Sequence, residues 1–337
     1  MAVKLKPLAD QVMVITGASS GIGLVTARLA AKRGARVVLV SRSKTDLKRA
    51  VARIEQNGGE AIYVVADVAE PHEVEAVAEE ATRAFGGIDS WVNNAGVSIY
   101  GPLVEVPLAD ARRLFETNYW GMVHGSLVAA AYLRERGGSI INVGSIVSDV
   151  SVPLQGHYAA SKHAVKGFTD TLRMELEKEE APISVSLVKP AAIATPFARH
   201  ARSYMETEPN LPPPVYDPRV VARTILRCAE HPVREITVGG GGRMMAAMGK
   251  VAPRLTDRYM EAALFRQQKT KKPSPKPRRD SLHRPMKGAE AERMESDRHV
   301  MRTSAYTSAK LHPAQTVIAC AFLGAAAMLA FRRERES

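Results

Sequence analysis

Short apolar runs rich in β-branched residues alternate along the chain with longer stretches in which apolar residues recur every three or four positions. The runs cover residues 11–16, 35–41, 61–66, 88–93, 139–145, 183–189 and 235–238. Strands that are buried on both faces have this composition. The stretches between them, such as 21–33, 71–85, 155–178 and 219–229, have the period of helices. This order predicts an α/β fold with one parallel, doubly wound sheet of about seven strands and helices on both faces.

The alternation ends near residue 265, which predicts a single domain over residues 1–265. Within it, residues 196–218 contain six prolines, too many to continue a helix or a strand, and we predict a lid there. Residues 243–265 are apolar and rich in methionine. We predict that they cap the fold, with a membrane-surface contact as the alternative.

The net charge of +12 is concentrated in one segment, residues 266–313. This segment contains thirteen Lys or Arg residues and five Asp or Glu residues, which leaves a charge of only +4 for the remaining chain. It has few aromatic residues and much Pro and Ser, so it is predicted to be a disordered linker. It lacks the interleaved aromatic residues that bind single-stranded nucleic acid, so nucleic acid is not expected as a partner.

The last segment, residues 314–337, contains an uncharged run from Thr316 to Phe331 that is followed by three arginines. Sixteen residues are slightly fewer than a spanning helix needs. The run is a candidate membrane anchor, and a docking helix and disorder are the alternatives. The chain begins with no apolar signal sequence, and Cys228 and Cys320 match no metal-ligand spacing. We therefore expect a cytoplasmic protein without a metal site, associated with membranes if the anchor prediction holds.

A glycine-rich turn lies between the first predicted strand and the first predicted helix. Its sequence is Thr16-Gly17-Ala18-Ser19-Ser20-Gly21-Ile22-Gly23. Glycines let a backbone approach a pyrophosphate closely, and the free N–H groups of a helix N-terminus favour its negative charge. The turn predicts dinucleotide binding, with a simple helix cap as the alternative.

This glycine spacing resembles that of the classical short-chain dehydrogenase/reductase family, and the likeness extends over about residues 11–240. Asn93-Asn94-Ala95-Gly96 and Asp67-Val68 are similar to the family's motifs beside the adenosine, and Pro190 with Thr195 is similar to the segment over the nicotinamide. Asn118, Ser145, Tyr158 and Lys162 match its catalytic tetrad in order and spacing. One departure is Ala191, where many members have glycine. The resemblance implies a Rossmann-type oxidoreductase that forms a dimer or tetramer.

The end of the second predicted strand indicates which nicotinamide binds. An acidic residue there would accept a hydrogen bond from the ribose of NAD, but this chain has Ser41-Arg42-Ser43. A guanidinium pairs well with a phosphate, so NADP is preferred and NAD is the alternative. The predicted cofactor-binding residues are Gly17, Ser19, Ser20, Gly21, Ile22, Gly23, Ser41, Arg42, Asp67, Val68, Asn94, Ala95, Gly96, Tyr158, Lys162, Pro190, Ile193 and Thr195.

Tyr158 and Lys162 are one turn apart on a predicted helix, so their side chains share a face. A nearby ammonium should lower the pKa of the tyrosine towards the range useful for acid/base chemistry. The resemblance implies that Tyr158 is the acid/base, that Lys162 holds the ribose, that Ser145 polarises the substrate oxygen and that Asn118 anchors a water.

The predicted substrate-binding residues are Ser145, Val147 and Tyr158. Apolar residues nearby and in the lid favour a lipophilic ketone, aldehyde or alcohol, although they could instead pack the lid. The alternative function is a catalytically silent NADP-binding sensor or scaffold tethered through the basic segment. A second alternative is an epimerase or dehydratase of the extended relatives, whose G-x-x-G-x-x-G turn this chain lacks.

Overall fold

The computed structural model describes residues 3–275, 278–286, 291–293, 299–312 and 315–316. Its strands are β1 (Val12–Thr16), β2 (Arg36–Ser41), β3 (Ala61–Val65), β4 (Ser90–Asn93), β5 (Ile99–Tyr100), β6 (Gly138–Val143), β7 (Ile183–Pro190), β8 (Ala192–Ile193), β9 (Arg202–Ser203), β10 (Thr207–Pro209), β11 (Val215–Tyr216), β12 (Glu235–Val238), β13 (Lys269–Pro273) and β14 (Val300–Met301).

The α-helices are α1 (Gly21–Lys32), α2 (Lys44–Gln56), α3 (Pro71–Phe85), α4 (Leu108–Phe115), α5 (Gly121–Leu133), α6 (Gly156–Lys178), α7 (Phe197–His200), α8 (Pro218–Glu230), α9 (Gly240–Val251), α10 (Pro253–Tyr259), α11 (Phe265–Gln267) and α12 (Ala305–Leu311). Two π-helical turns, Glu116–Trp120 and Met260–Leu264, join α4 to α5 and α10 to α11.

Seven of the strands form one parallel sheet in the order β12-β7-β6-β4-β1-β2-β3. The chain moves outward from β1 to β2 and β3, and then crosses to the other side of β1 for β4. In such sheets, ligands bind in the crevice outside the carboxyl ends of the strands where the order reverses. This crevice lies at the ends of β1 and β4.

Helices cover both faces of the sheet, because alternate residues of each buried strand point to opposite faces. Met13 and Ile15 of β1 belong to a core with α1, α2 and α8, whereas Val12 and Val14 belong to a core with α3, α5 and α6. Each such side chain contributes roughly 1.5–3 kcal/mol on burial. The fold class predicted from the sequence is confirmed.

The predicted lid, residues 196–218, contains short elements rather than one loop. After α7, β9 pairs in parallel with β5, and β11 pairs in parallel with β8. The methionine-rich stretch after residue 240 forms α9, α10 and the π-helical turn that follows. Met260 and Leu264 of that turn pack in a cluster with Val147 and Tyr158.

The described part of residues 266–313 differs from the disordered linker predicted for it. β13 pairs antiparallel with β10, β14 pairs in parallel with β11, and the N–H of Gly239 donates to the Thr307 hydroxyl of α12 at 3.0 Å. Two buried apolar residues of the described part, Leu282 and Val300, belong to clusters of the domain. Backbone pairing and these apolar side chains hold the described part on the domain, and Leu282 is fully buried. Such long-range contacts leave no periodic signal in the sequence.

Within the described residues, no helix has both the length and the apolar character that crossing a membrane requires. The candidate anchor, residues 316–331, lies outside the described residues except for Thr316.

Candidate active site

A cavity of about 550 Å³ opens at the carboxyl ends of β1 and β4. Every residue predicted to bind cofactor or substrate lines this cavity except Gly23. Of the four predicted catalytic residues, Ser145, Tyr158 and Lys162 line it, and Asn118 lies behind its wall. The structure thus brings together residues that are separated by more than a hundred positions in the chain.

The glycine-rich turn lies between β1 and α1, and two of its glycines leave no room for a side chain. Gly17 has a φ of +67°, and a Cβ atom there would lie 2.8 Å from the Cα atom of Ala95. A Cβ atom on Gly23 would lie 2.4 Å from the carbonyl oxygen of Gly17. The Asn94 side chain fixes the turn from the end of β4, because its amide donates to the carbonyl of Thr16 at 2.9 Å. The turn is therefore a rigid cradle of backbone atoms, as pyrophosphate binding requires.

Arg42 follows β2, and its guanidinium faces Asp67, which follows β3. Arg42 Nη1 lies 3.7 Å from Asp67 Oδ2. Arg113 of α4 also donates to Asp67, so two guanidinium groups meet at this end of the cavity. Burial lowers the pKa of Arg42, and the positive charge of Arg113 lowers it further, against the raising effect of Asp67. Arg113 belongs to no motif, and the sequence offered no signal for its position.

The Arg42 guanidinium also contacts the C-terminal part of the chain. Nη2 donates to the carbonyl of Ser281, and Nη1 donates to the carbonyl of Leu282 at 3.3 Å. The sequence predicts a disordered linker for those residues and gives no indication of this contact.

Ser145 follows β6 and caps the short 3₁₀ turn Ile146–Ser148. Its hydroxyl accepts from the N–H of Val147 at 3.3 Å, and its own N–H donates to the Ser148 hydroxyl at 3.2 Å. This reciprocal capping fixes the backbone of Ser145 at the cavity wall.

Tyr158 lies in the first turn of α6, and its ring centroid lies 5.5 Å from that of Phe197 in α7. Burial raises the pKa of Tyr158 to about 12, while a hydrogen bond with Ser145 opposes this shift. The direction is the opposite of the lowering expected from Lys162, because the loss of hydration outweighs the opposing contributions in this pocket.

Lys162 lies one turn further along α6 and is also buried. Its Nζ donates to the carbonyl of Val143 at 2.8 Å and lies 5.9 Å from the centroid of the Tyr158 ring. Burial lowers its pKa to about 8. An ammonium with a lowered pKa, next to a tyrosine with a raised one, is an arrangement suited to proton exchange.

Asn118 lies in the π-helical turn between α4 and α5, and its polar atoms bind other parts of the protein. Its Oδ1 accepts from the N–H of Val97 at 2.8 Å, and its Nδ2 donates to the carbonyl of Val97 at 3.0 Å and to Ser161 at 3.1 Å. A Cβ atom on Gly96 would lie 3.4 Å from Asn118 Oδ1 and 3.9 Å from Lys162 Nζ. Gly96 therefore keeps open the space between the Asn118 and Lys162 side chains.

The end of the cavity beyond Ser145 and Tyr158 is apolar. The predicted Val147 lies there with Leu211, an apolar residue of the predicted lid. Residues of the cap that the sequence did not assign to the site also line it: Met244, Met245, Met248, Tyr259 and Leu264. The methionine-rich composition of residues 243–265 was the available signal. Among the described residues, no group of three or more His, Cys, Asp or Glu side chains could hold a metal ion.

The family model for short chain dehydrogenase matches residues 11–206. The chain belongs to this family. The resemblance inferred from the glycine turn and the Tyr158–Lys162 pair is thereby confirmed, and the chain is an oxidoreductase of the short chain dehydrogenase type.

A curated relative from Bacillus subtilis (strain 168), the uncharacterized oxidoreductase YxnA, is 46% identical over 282 residues, which are 83% of this chain and 79% of the relative. Among solved structures, a short chain dehydrogenase/reductase from Burkholderia phymatum in complex with NAD matches with a TM-score of 0.66 and 27% identity, over 76% of this chain and 96% of that one. An alcohol dehydrogenase from the archaeon Thermococcus sibiricus complexed with 5-hydroxy-NADP matches with a TM-score of 0.60 and 25% identity, over 67% of this chain and 95% of that one.

Proposed function

We propose that the protein is an NADP-dependent oxidoreductase that interconverts a lipophilic ketone or aldehyde and the corresponding alcohol. The observation that carries the proposal is the placement of Ser145, Tyr158 and Lys162 around one cavity that also contains the glycine turn. The turn fits a dinucleotide, since Gly17 and Gly23 leave no room for side chains and the helix N-terminus of α1 faces the cavity. The relatives from Burkholderia phymatum and Thermococcus sibiricus, with NAD and a derivative of NADP, support a nicotinamide.

The preference for NADP rests on the adenosine end of the cavity. The strand end carries Arg42 instead of an acidic residue, and Arg113 adds a second guanidinium beside it. The positive charges of the two guanidinium groups together exceed the negative charge of the Asp67 carboxylate. Such a site favours the additional phosphate of NADP over the free ribose hydroxyl of NAD.

In the reductive direction, a nicotinamide bound in this cavity would provide the hydride, and residues of this chain provide the proton for the carbonyl oxygen. Tyr158 carries its proton at pH 7, since its pKa of about 12 lies well above that pH, and this proton is available to the developing alkoxide, which is more basic than the phenolate. Ser145 lies close enough to Tyr158 to lower its pKa and lines the same cavity, so it is positioned to hold the same oxygen. The product is the alcohol, and the proton lost from Tyr158 remains to be replaced.

Lys162 stabilises the Tyr158 phenolate formed in this step. Its pKa of about 8 keeps it mostly protonated at pH 7, so a positive charge lies near the buried phenolate. Because the pKa of Lys162 lies below that of Tyr158, the ammonium is able to release a proton to the phenolate, and the lowered pKa of Lys162 makes this transfer more favourable. Gly96 leaves space beside Nζ through which the proton can be replaced.

The lipophilic substrate class rests on the far end of the cavity. Val147, Met245 and Leu264 surround the space beyond Tyr158 and offer no charged group to a substrate. An apolar body with one carbonyl or hydroxyl group matches this distribution.

The proposal is tested by titrating the purified full-length chain with NADPH and NADH and by following the absorbance of the reduced nicotinamide across a panel of lipophilic ketones and aldehydes. We expect NADPH to bind more tightly than NADH and to be oxidised with at least one carbonyl compound. Binding without turnover across a broad panel would favour the sensor alternative, and failure to bind either nucleotide would contradict the proposal.

A further inference from the structure

Two described pieces of the C-terminal segment contact the cofactor end of the cavity and are called the strap: residues 278–286 border the cavity, and residues 291–293 contact the glycine turn. Ser281, Pro285 and Met286 line the cavity itself. Leu282 is fully buried in the cluster that contains Val147 and Tyr158. The first piece of the strap is thus part of the cavity wall and not a separate surface segment.

The strap binds the donors that the cofactor is expected to use. Arg42, the candidate partner of the cofactor's extra phosphate, donates to the carbonyls of Ser281 and Leu282. At the N-terminus of α1, the N–H of Gly21 donates to the carbonyl of Ala291 at 2.8 Å. The carbonyl oxygens of the strap therefore occupy the positions at which phosphate oxygens are expected.

Polar contacts hold the strap in this position. Arg278 donates to the carbonyls of Ala198 at 3.0 Å and Arg199 at 3.1 Å, which belong to α7. Glu292 accepts from Arg28 at 2.5 Å and from Arg219 at 3.1 Å. Arg28 and Arg219 lie in α1 and α8, so the second piece of the strap is fixed beside the glycine turn.

We propose that the strap is an intramolecular ligand of the cofactor site, which competes with the phosphates of NADP for Arg42 and Gly21. The inference rests on the proposed function. A carbonyl oxygen and a phosphate oxygen cannot occupy the same position on one N–H group, so the strap is displaced when the cofactor binds. The charged phosphate makes the stronger hydrogen bond, which lets the cofactor win at sufficient concentration. The strap thereby lowers the apparent affinity for cofactor.

Displacement is measured by hydrogen–deuterium exchange of the full-length chain, with and without saturating NADPH. We expect peptides that cover residues 278–286 to exchange faster when NADPH is bound. Slower exchange would mean that the strap closes over the cofactor, and unchanged exchange would mean that the two do not meet. Either result overturns the inference.

Two variants that weaken the anchors of the strap test the competition through the affinity for NADPH. A third variant, at the residue next to Arg278, is the control. Arg278→Gln and Glu292→Gln each weaken an anchor outside the proposed phosphate contacts, whereas Arg279→Gln makes the same change at an exposed neighbour. We expect the Kd for NADPH to fall about threefold to tenfold in the first two variants and to stay unchanged in the control. Equal Kd values in the full-length wild type and all variants overturn the inference but leave the proposed function intact. Failure of every protein to bind NADPH contradicts both.

Discussion

The Nζ atom of Lys162 lies 5.9 Å from the centroid of the Tyr158 ring, in a pocket that buries both side chains. The pKa of Lys162 is lowered to about 8, and that of Tyr158 is raised to about 12. Burial causes both shifts, because it disfavours the ammonium and the phenolate alike. Burial of the pair lowers the free energy of unfolding and prepares both groups for proton transfer. This loss of stability can be measured.

The burial of Lys162 predicts a dependence of stability on pH. Between about 8 and the ordinary value of 10.5, the unfolded chain binds more protons at this residue than the folded chain does. The free energy of unfolding should therefore rise as the pH increases through this window, and this gain is lost as the pH falls through about 8. From the lower to the upper end of this pH window, the free energy of unfolding measured with denaturant should rise by roughly 1–3 kcal/mol more in the wild type than in Lys162→Met.

Both the wild type and Lys162→Met contain Tyr158. The contribution of Tyr158 to the pH dependence of unfolding therefore cancels when the two proteins are compared. Lys178→Met, at the exposed end of the same helix, is the control and should follow the wild type. If wild type and Lys162→Met change equally with pH, the buried ammonium is not the cause.

Arg42 should decide the choice of nicotinamide. Replacement by Asp places a negative charge where the extra phosphate of NADP is expected, and offers an acceptor to the ribose hydroxyl of NAD. We expect the ratio of kcat/KM values to shift towards NADH by about tenfold or more. Arg83→Asp, at an exposed site on α3, should leave the ratio unchanged. An unchanged ratio in Arg42→Asp would show that Arg42 does not determine the preference between NADPH and NADH.

Gly23 should tolerate no side chain. A Cβ atom there would meet the carbonyl of Gly17 at 2.4 Å, so Gly23→Ala should distort the turn and abolish measurable NADPH binding. A Cβ atom on Gly167, in the interior of α6, would meet no heavy atom of another element within 4 Å. Gly167→Ala should keep NADPH binding and raise the free energy of unfolding by about 0.5–1 kcal/mol. Full binding by Gly23→Ala would show that the turn does not hold the cofactor.

The seven main strands could be predicted from sequence because each is a short, continuous apolar run. The run at 61–66 corresponds to β3 and the run at 183–189 to β7, with boundaries that differ by one residue. Tyr158 and Lys162 could be placed together for a similar local reason, since one helical turn separates them. Local periodicity is a strong signal where burial is continuous.

The contacts of the C-terminal segment could not be predicted in this way. Arg42 meets Leu282 across 240 positions of sequence, and Arg28 meets Glu292 across 264. Single hydrogen bonds and ion pairs between distant charged residues have no period and no motif. The raised pKa of Tyr158 was missed for a related reason, because its cause is the burial of the whole pocket and not one neighbouring charge.

Proton donation by Tyr158 is measured by single-turnover reduction of a carbonyl substrate found in the panel. The proteins compared are the wild type, Tyr158→Phe and Tyr63→Phe. Tyr63 lies on β3 and does not line the cavity. We predict that Tyr158→Phe loses about 10²–10⁴-fold in rate with nearly unchanged NADPH binding, and that Tyr63→Phe equals the wild type. A Tyr158→Phe rate close to that of the wild type would contradict the account.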